Sequence, residues 1–211
     1  MKEPKTNSSK RYLEAKELLS DGKLSPSEAC GKLFSLGYEL DHDGLHEEAD
    51  SVYQQTIDLI EDLKDQPGSS LTDNSLAQLA FGHGKALIGV GKYRSSVSAF
   101  RRALEIIDQW LGSGSNSILL ERKAMVLGWL AQAQRKSGLM EEARDSYEES
   151  IALWKQLPEL VDAPTNPYGG FLGACLLGCS KTLTALGMTS RAGEYRRQGR
   201  ALLEAEFEDC A

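Results

Sequence analysis

Nowhere does this chain hold the roughly 18 to 20 consecutive apolar residues that a membrane-spanning helix requires. Its opening run, MKEPKTNSSKRYLEAKELL, also lacks the apolar centre of a secretory signal. Export and membrane insertion are therefore not expected, and the cytoplasm, with the nucleus second, is the expected location. Cysteine is sparse: Cys30, Cys175, Cys179 and Cys210 are too few for a disulfide framework in a chain of 211 residues, and they read as free thiols. Basic residues are outnumbered, 24 Lys and Arg against 31 Asp and Glu, for a net charge of -7. Nucleic-acid binders neutralise phosphate with a basic stripe, so DNA and RNA are not expected partners. Proline is limited to 6 residues and apolar residues reach 41%, the balance of a folded chain rather than a disordered one.

Histidine is equally scarce, which narrows the scope for catalysis. His42 and His46, flanked by Asp41, Asp43, Glu47 and Glu48, are metal-ligating types, but Gly44 interrupts their helical spacing and a solvated turn is the expectation. Gly82-His83-Gly84-Lys85 lacks the Gly-x-x-x-x-Gly-Lys-Ser/Thr spacing of a phosphate loop and falls inside a helical pattern, so helix packing is expected there. Cys175 and Cys179 stand four apart without a second ligand pair and read as small buried side chains. His83 occupies a packing position, which leaves no nucleophile, base and orienter to assemble. No catalytic residue, metal or cofactor is expected.

What the chain does have is an internal repeat. The segments DGLHEEADSVYQQTIDLI, VGKYRSSVSAFRRALEII, SGLMEEARDSYEESIALW and LGMTSRAGEYRRQGRALL align on Gly44, Gly91, Gly138 and Gly187, at spacings of 47, 47 and 49. Five residues after each glycine comes a small one: Ala49, Ser96, Ala143 or Ala192. In three copies an aromatic follows four later (Tyr53, Phe100, Tyr147), then a small residue three beyond (Thr56, Ala103, Ser150). Steps of three and four set these on one helical stripe, where small residues permit close approach and the ring fills the gap. Upstream, Leu33, Leu36, Gly37 and Leu40 recur at helical spacing, with Ala80, His83, Gly84 and Leu87 and then Leu127, Leu130, Ala131 and Gln134 in the corresponding places. Each unit reads as helix, glycine turn, helix.

On these residues the chain resembles the tetratricopeptide repeat family, matching its pattern at Leu36, Gly37, Leu40, Ala49, Tyr53 and Thr56 over roughly residues 26 to 207. The 47-residue period exceeds the family's usual ~34 and is more similar to the extended repeats of kinesin light chain, with longer second helices and loops. The resemblance implies an all-α, right-handed solenoid of antiparallel helical hairpins, about eight or nine helices in all. The expected organisation is an amino-terminal tail and extra helix over residues 1–24, then a repeat domain over 25–210 with copies near 26–68, 73–112, 117–158 and 168–209. Ser25-Pro26-Ser27-Glu28 reads as the capping box that opens the first copy. The breaker-rich stretches 65–70, 112–115 and 162–167 separate the copies. The fourth copy is degenerate, with Arg196 and Gly199 in place of the aromatic and the small residue, as suits a terminal cap.

The resemblance also places the first helices along a concave wall. Positions there that packing does not use are Phe34, Tyr38, Phe81, Lys85, Met125, Trp129, Gln132, Arg135, Leu177 and Lys181, an apolar and aromatic floor with a line of cations. Such a surface suits an amphipathic helix or an extended peptide of some acidic character from a protein partner. The competing expectation is that Phe34, Phe81 and Trp129 pack between helices. Co-chaperones of the family clamp acidic chaperone tails with basic and Asn side chains; the matching positions here, Phe34, Tyr38, Gly82, Met125 and Trp129, carry none. An adaptor or scaffold is thus expected, the alternative being a structural subunit that docks by its outer helices or ends, its groove filled by its own amino-terminal helix. Self-association through acidic Glu141, Glu142, Asp145, Glu148 and Glu149 and basic Arg191, Arg196, Arg197 and Arg200 is the less favoured possibility.

Overall fold

The computed structural model describes residues 23–63, 73–113, 117–157 and 169–208, together with Lys10, Leu13, Glu17 and Asp21. Among the described residues there are eight long helices and no strand. They are α1 (Pro26–His42), α2 (His46–Leu63), α3 (Asp73–Gly89), α4 (Tyr93–Ser113), α5 (Ser117–Lys136), α6 (Met140–Gln156), α7 (Gly169–Ala185) and α8 (Thr189–Glu208). Successive pairs form four helical hairpins. Of the expected amino-terminal helix, Lys10, Leu13 and Glu17 are helical and exposed and Asp21 stands in a turn, its N–H bonded to the Glu17 carbonyl; the other positions of residues 1–22 lie outside the described residues. The same holds for the linkers at 65–70 and 162–167 and for Cys210, whereas Gly112 and Ser113 still belong to α4.

Each hairpin turn is closed in the same way. Gly44, Gly91, Gly138 and Gly187 have φ of 77°, 76°, 88° and 78°, the left-handed region where a Cβ is strained. The residue after each glycine, Leu45, Lys92, Leu139 or Met188, donates its N–H to the carbonyl of Leu40, Leu87, Gln134 or Leu183 at 2.8–2.9 Å. Each glycine N–H in turn bonds the carbonyl three residues back. This pair of bonds satisfies carbonyls that a helix end would otherwise orphan, and it reverses the chain within three residues. At the other end of α1, Ser25 and Glu28 cap reciprocally: Glu28 N–H donates to Ser25 Oγ at 3.3 Å and Ser25 N–H to the Glu28 carboxylate at 2.8 Å.

The helices cluster into two compact units, residues 1–106 and 107–211, with the division inside α4. In the first unit the core gathers Leu36, Leu40, Val52, Tyr53, Ile57 and Leu79. In the second it gathers Tyr147, Ile151, Trp154, Leu172, Leu176 and Leu183. Glycines decide how closely the helices meet. Tyr53 lies between Gly37 of its own hairpin and Gly82 of the next, where an added Cβ would come within 2.8 and 2.7 Å of the ring. Tyr147 lies against Gly178 in the same way, at 2.5 Å, and Phe100 against Gly84 at 2.6 Å. Buried hydroxyls then stitch paired helices through their backbones: Ser96 Oγ to the Gly84 carbonyl at 2.8 Å, Ser150 Oγ to Ala124 at 2.7 Å, and Ser180 Oγ to Ala192 at 2.7 Å. In the last hairpin Arg196 is exposed, and Gly199 sits against the Gly173 carbonyl and Leu177.

Candidate partner-binding grooves

In the first unit, residues expected on the inner surface are largely occupied with their own neighbours. Phe34 is half-buried with its ring 6.1 Å from that of Tyr53, and Phe81 is half-buried 5.9 Å from Phe100. Both are tilted pairs that hold the hairpin together. Tyr38 remains 53% exposed, and the Lys85 ammonium lies 5.9 Å from its ring centre and 3.6 Å from an Asp41 oxygen.

The second unit is built differently. Met125, Trp129 and Gln132 of α5 line one apolar groove of about 390 Å³, together with Gly128, Tyr147, Trp154, Gly170, Phe171, Ala174 and Cys175. Trp154 of α6 is fully buried and forms the floor; the Phe171 ring stacks on it at 5.9 Å and 12°. Phe171 itself is 44% exposed. The Cys175 thiol lies 3.4 Å from Ser150 Oγ, and burial raises its pKa. Burial also pushes Tyr147 up to about 12, against the pull of a hydrogen bond from Arg135. Among the described residues neither Arg135 nor Lys181 has a carboxylate partner. Leu177 is half-buried against Gly199 of α8, and Lys181 is exposed.

Phe171, Ala174 and Trp154 carry much of this groove and were not singled out from the sequence. Phe171 and Ala174 lie in the opening turns of α7, ahead of the repeat pattern. Trp154 sits near the end of α6, beyond the last position shared among copies.

The histidine-bearing motifs serve packing and polar contacts. The His46 ring lies directly against Gly89, and its Nδ1 is 2.8 Å from Asp41. His83 is buried, with Nε2 2.7 Å from an Asp50 oxygen; the other Asp50 oxygen accepts from Lys92 at 2.7 Å, which raises the Lys92 pKa. This cluster opens into a polar cleft of about 910 Å³ between α2 and α4, lined among others by Ser51, Gln54, Ser95 and Ser98. Sequence reasoning did not anticipate the cleft, since its polar residues resemble any solvated helix face. Among the described residues no three His, Cys, Asp or Glu side chains converge as metal ligands, and no helix is long and apolar enough to cross a membrane.

No protein-family model matches the sequence, and no curated protein sequence matches it either. Solved structures do resemble the fold. A crystal structure of MamA superposes with a TM-score of 0.60 at 16% identity, over 94% of this chain and 88% of that one. A putative kinesin light chain from Podospora anserina, described as having nearly identical TPR-like repeats, gives 0.57 at 17% identity over 96% and 97%. BtubC (BKLC) from P. vanneervenii gives 0.53 at 14% over 95% and 89%. With four glycine-turned hairpins, small-aromatic-small stripes and these likenesses together, the chain has an all-α, tetratricopeptide-like repeat fold.

Proposed function

We propose that this chain is a non-catalytic adaptor or scaffold that holds a helical or extended segment of a partner protein, with the groove of the second unit as its principal contact. The observation that carries this reading is the meeting of Met125, Trp129 and Gln132 with an exposed Phe171 over a buried Trp154. A tetratricopeptide-like fold supports a protein ligand in general terms. Arg135 and Lys181, on the helices that line the groove, give the segment an acidic flank. The reading includes no role for nucleic acid, membrane, metal or cofactor, places the chain in the cytoplasm or nucleus, and leaves self-association as a minor theme.

Capture from a native cell extract tests it. The Trp129→Ala chain is expected to lose the partner while its helical circular dichroism and melting stay near wild type. Equal capture by both chains removes the groove from consideration. Phe81→Ala serves as a comparison in the first unit, where the tilted contact with the Phe100 ring predicts a larger loss of stability than of capture.

The polar cleft between α2 and α4 favours a second reading, a structural subunit that docks by its outer helices. Deleting residues 1–22 separates the two. An adaptor keeps or gains affinity, whereas a subunit whose own amino-terminal helix fills the inner surface loses solubility.

A further inference from the structure

Within the second unit the fourth hairpin is tied to the third by an ion pair, Arg191 of α8 to Glu148 of α6 at 3.0 Å. The two belong to the charges expected to join separate molecules, but they pair within one. The repeat spacing carries the same two positions to other copies. Glu148 corresponds to Arg197, 49 residues on, and Arg191, by steps of 49, 47 and 47, to Glu48. The signs are exchanged, with an arginine at the earlier position and a glutamate at the later one. Among the described residues neither Arg197 nor Glu48 has an ion-pair partner. A fourth hairpin followed by a first one would form the same bond with its charges reversed.

The surfaces around that pair match as well. Where the first and third hairpins bury Tyr53 with Ile57 and Tyr147 with Ile151, the fourth exposes Arg196 and Arg200. Leu79 and Ala86 of the second hairpin, and Cys175 and Thr182 of the fourth, are buried; the first hairpin exposes Lys32 and Glu39 at the same positions. Ser35 is exposed at the place where Gly82 and Gly178 meet a tyrosine ring. Opposite Arg196 no ring demands a glycine, so a serine is admitted there. Residues 26–63 hold ten Asp and Glu against one Lys, whereas residues 181–200 hold five Lys and Arg against one Glu. Opposite charge on this scale draws unlike faces together and keeps like faces apart.

We propose that the exposed face of the fourth hairpin binds the first hairpin of a second copy of this chain, head to tail, with Arg197 paired to Glu48. The inference is separate from the partner groove and goes beyond the adaptor reading. Because the two faces differ, the contact is heterologous and adds copies in a row unless the row closes into a ring.

Sedimentation of the full chain over a range of concentrations tests it. The average mass should rise above the 23.1 kDa of one chain. The rise should be larger at about 20 mM than at about 500 mM salt, where surface charges are screened. Arg197→Glu and Glu48→Lys should each weaken association roughly tenfold or more while helical circular dichroism is unchanged. Mixed in equal amounts, the two variants should regain wild-type association, because the reversed charges then stand opposite each other. A wild-type chain that keeps the mass of one chain at every salt concentration overturns the proposal, its charged faces then being solubilising ends only. Association that either substitution leaves untouched overturns it too, as does a mixture that stays apart. Arg197 is exposed, so its variant alone decides the matter if Glu48→Lys, in the first turn of α2, fails to fold.

Discussion

Glycine substitutions show how far a single residue's surroundings can reverse its ordinary effect. In a helix interior, Gly to Ala normally stabilises by up to ~1 kcal/mol through lower chain entropy and better propensity. Gly31 of α1 has open space where its Cβ would be, so Gly31→Ala should follow that rule. A Cβ added at Gly178 would come within 2.5 Å of the Tyr147 ring and hydroxyl, so Gly178→Ala should destabilise by about 1–3 kcal/mol. Urea unfolding of the two variants measures the opposite signs directly. The thiols are governed by burial in the same fashion. Cys30 is pushed up to about 11 and Cys179 to about 12 by burial, and Cys175 is raised as well. At pH 8 iodoacetamide should leave all three unmodified in the folded chain and alkylate them in guanidinium, as mass spectrometry of tryptic peptides would report.

At the level of the hairpin, the turn glycine is the least replaceable feature. Gly138→Ala places a Cβ at φ 88° and should cost about 1–2 kcal/mol, read as a lower urea midpoint with an unchanged slope. Loss of slope would instead mean that the turn had been abandoned. These turns, the small-aromatic-small stripe and the Ser25–Glu28 box were legible in the sequence because each is a local demand on backbone or volume, repeated at a fixed spacing. The groove was legible only in part. Met125, Trp129 and Gln132 stand out as apolar or amide positions left over from the repeat. Phe34 and Phe81 stand out equally, and spacing cannot distinguish a ring that faces outward from one that leans on Tyr53 or Phe100. Phe171 is hidden for another reason: it lies in the first turn of α7, after a glycine pair with no counterpart in the other copies. Three helices make that surface together, and no one-dimensional pattern contains their meeting.

For the molecule as a whole, buried titratable groups set the alkaline limit of stability. Cys30, Cys179 and Tyr147 all have folded pKa values raised by burial, to about 11, 12 and 12 from ordinary values of 9.0, 9.0 and 10.0. Their contribution is complete below the ordinary values and is lost as pH rises through the folded ones, because the unfolded chain ionises first. The melting temperature should therefore hold level from neutrality to about pH 9 and fall from there to about pH 12, and Cys30→Ala with Cys179→Ala should flatten the first part of that fall. The ring-on-glycine contacts bear on something else, the grammar of the array. A copy can follow the first hairpin only if it brings a glycine to meet Tyr53, as the second does with Gly82. The fourth, with Gly178 at the same position, could be spliced there, whereas the third would bring Trp129 into a space that admits no side chain. Shuffled versions of this protein should thus obey an order written in one residue per copy.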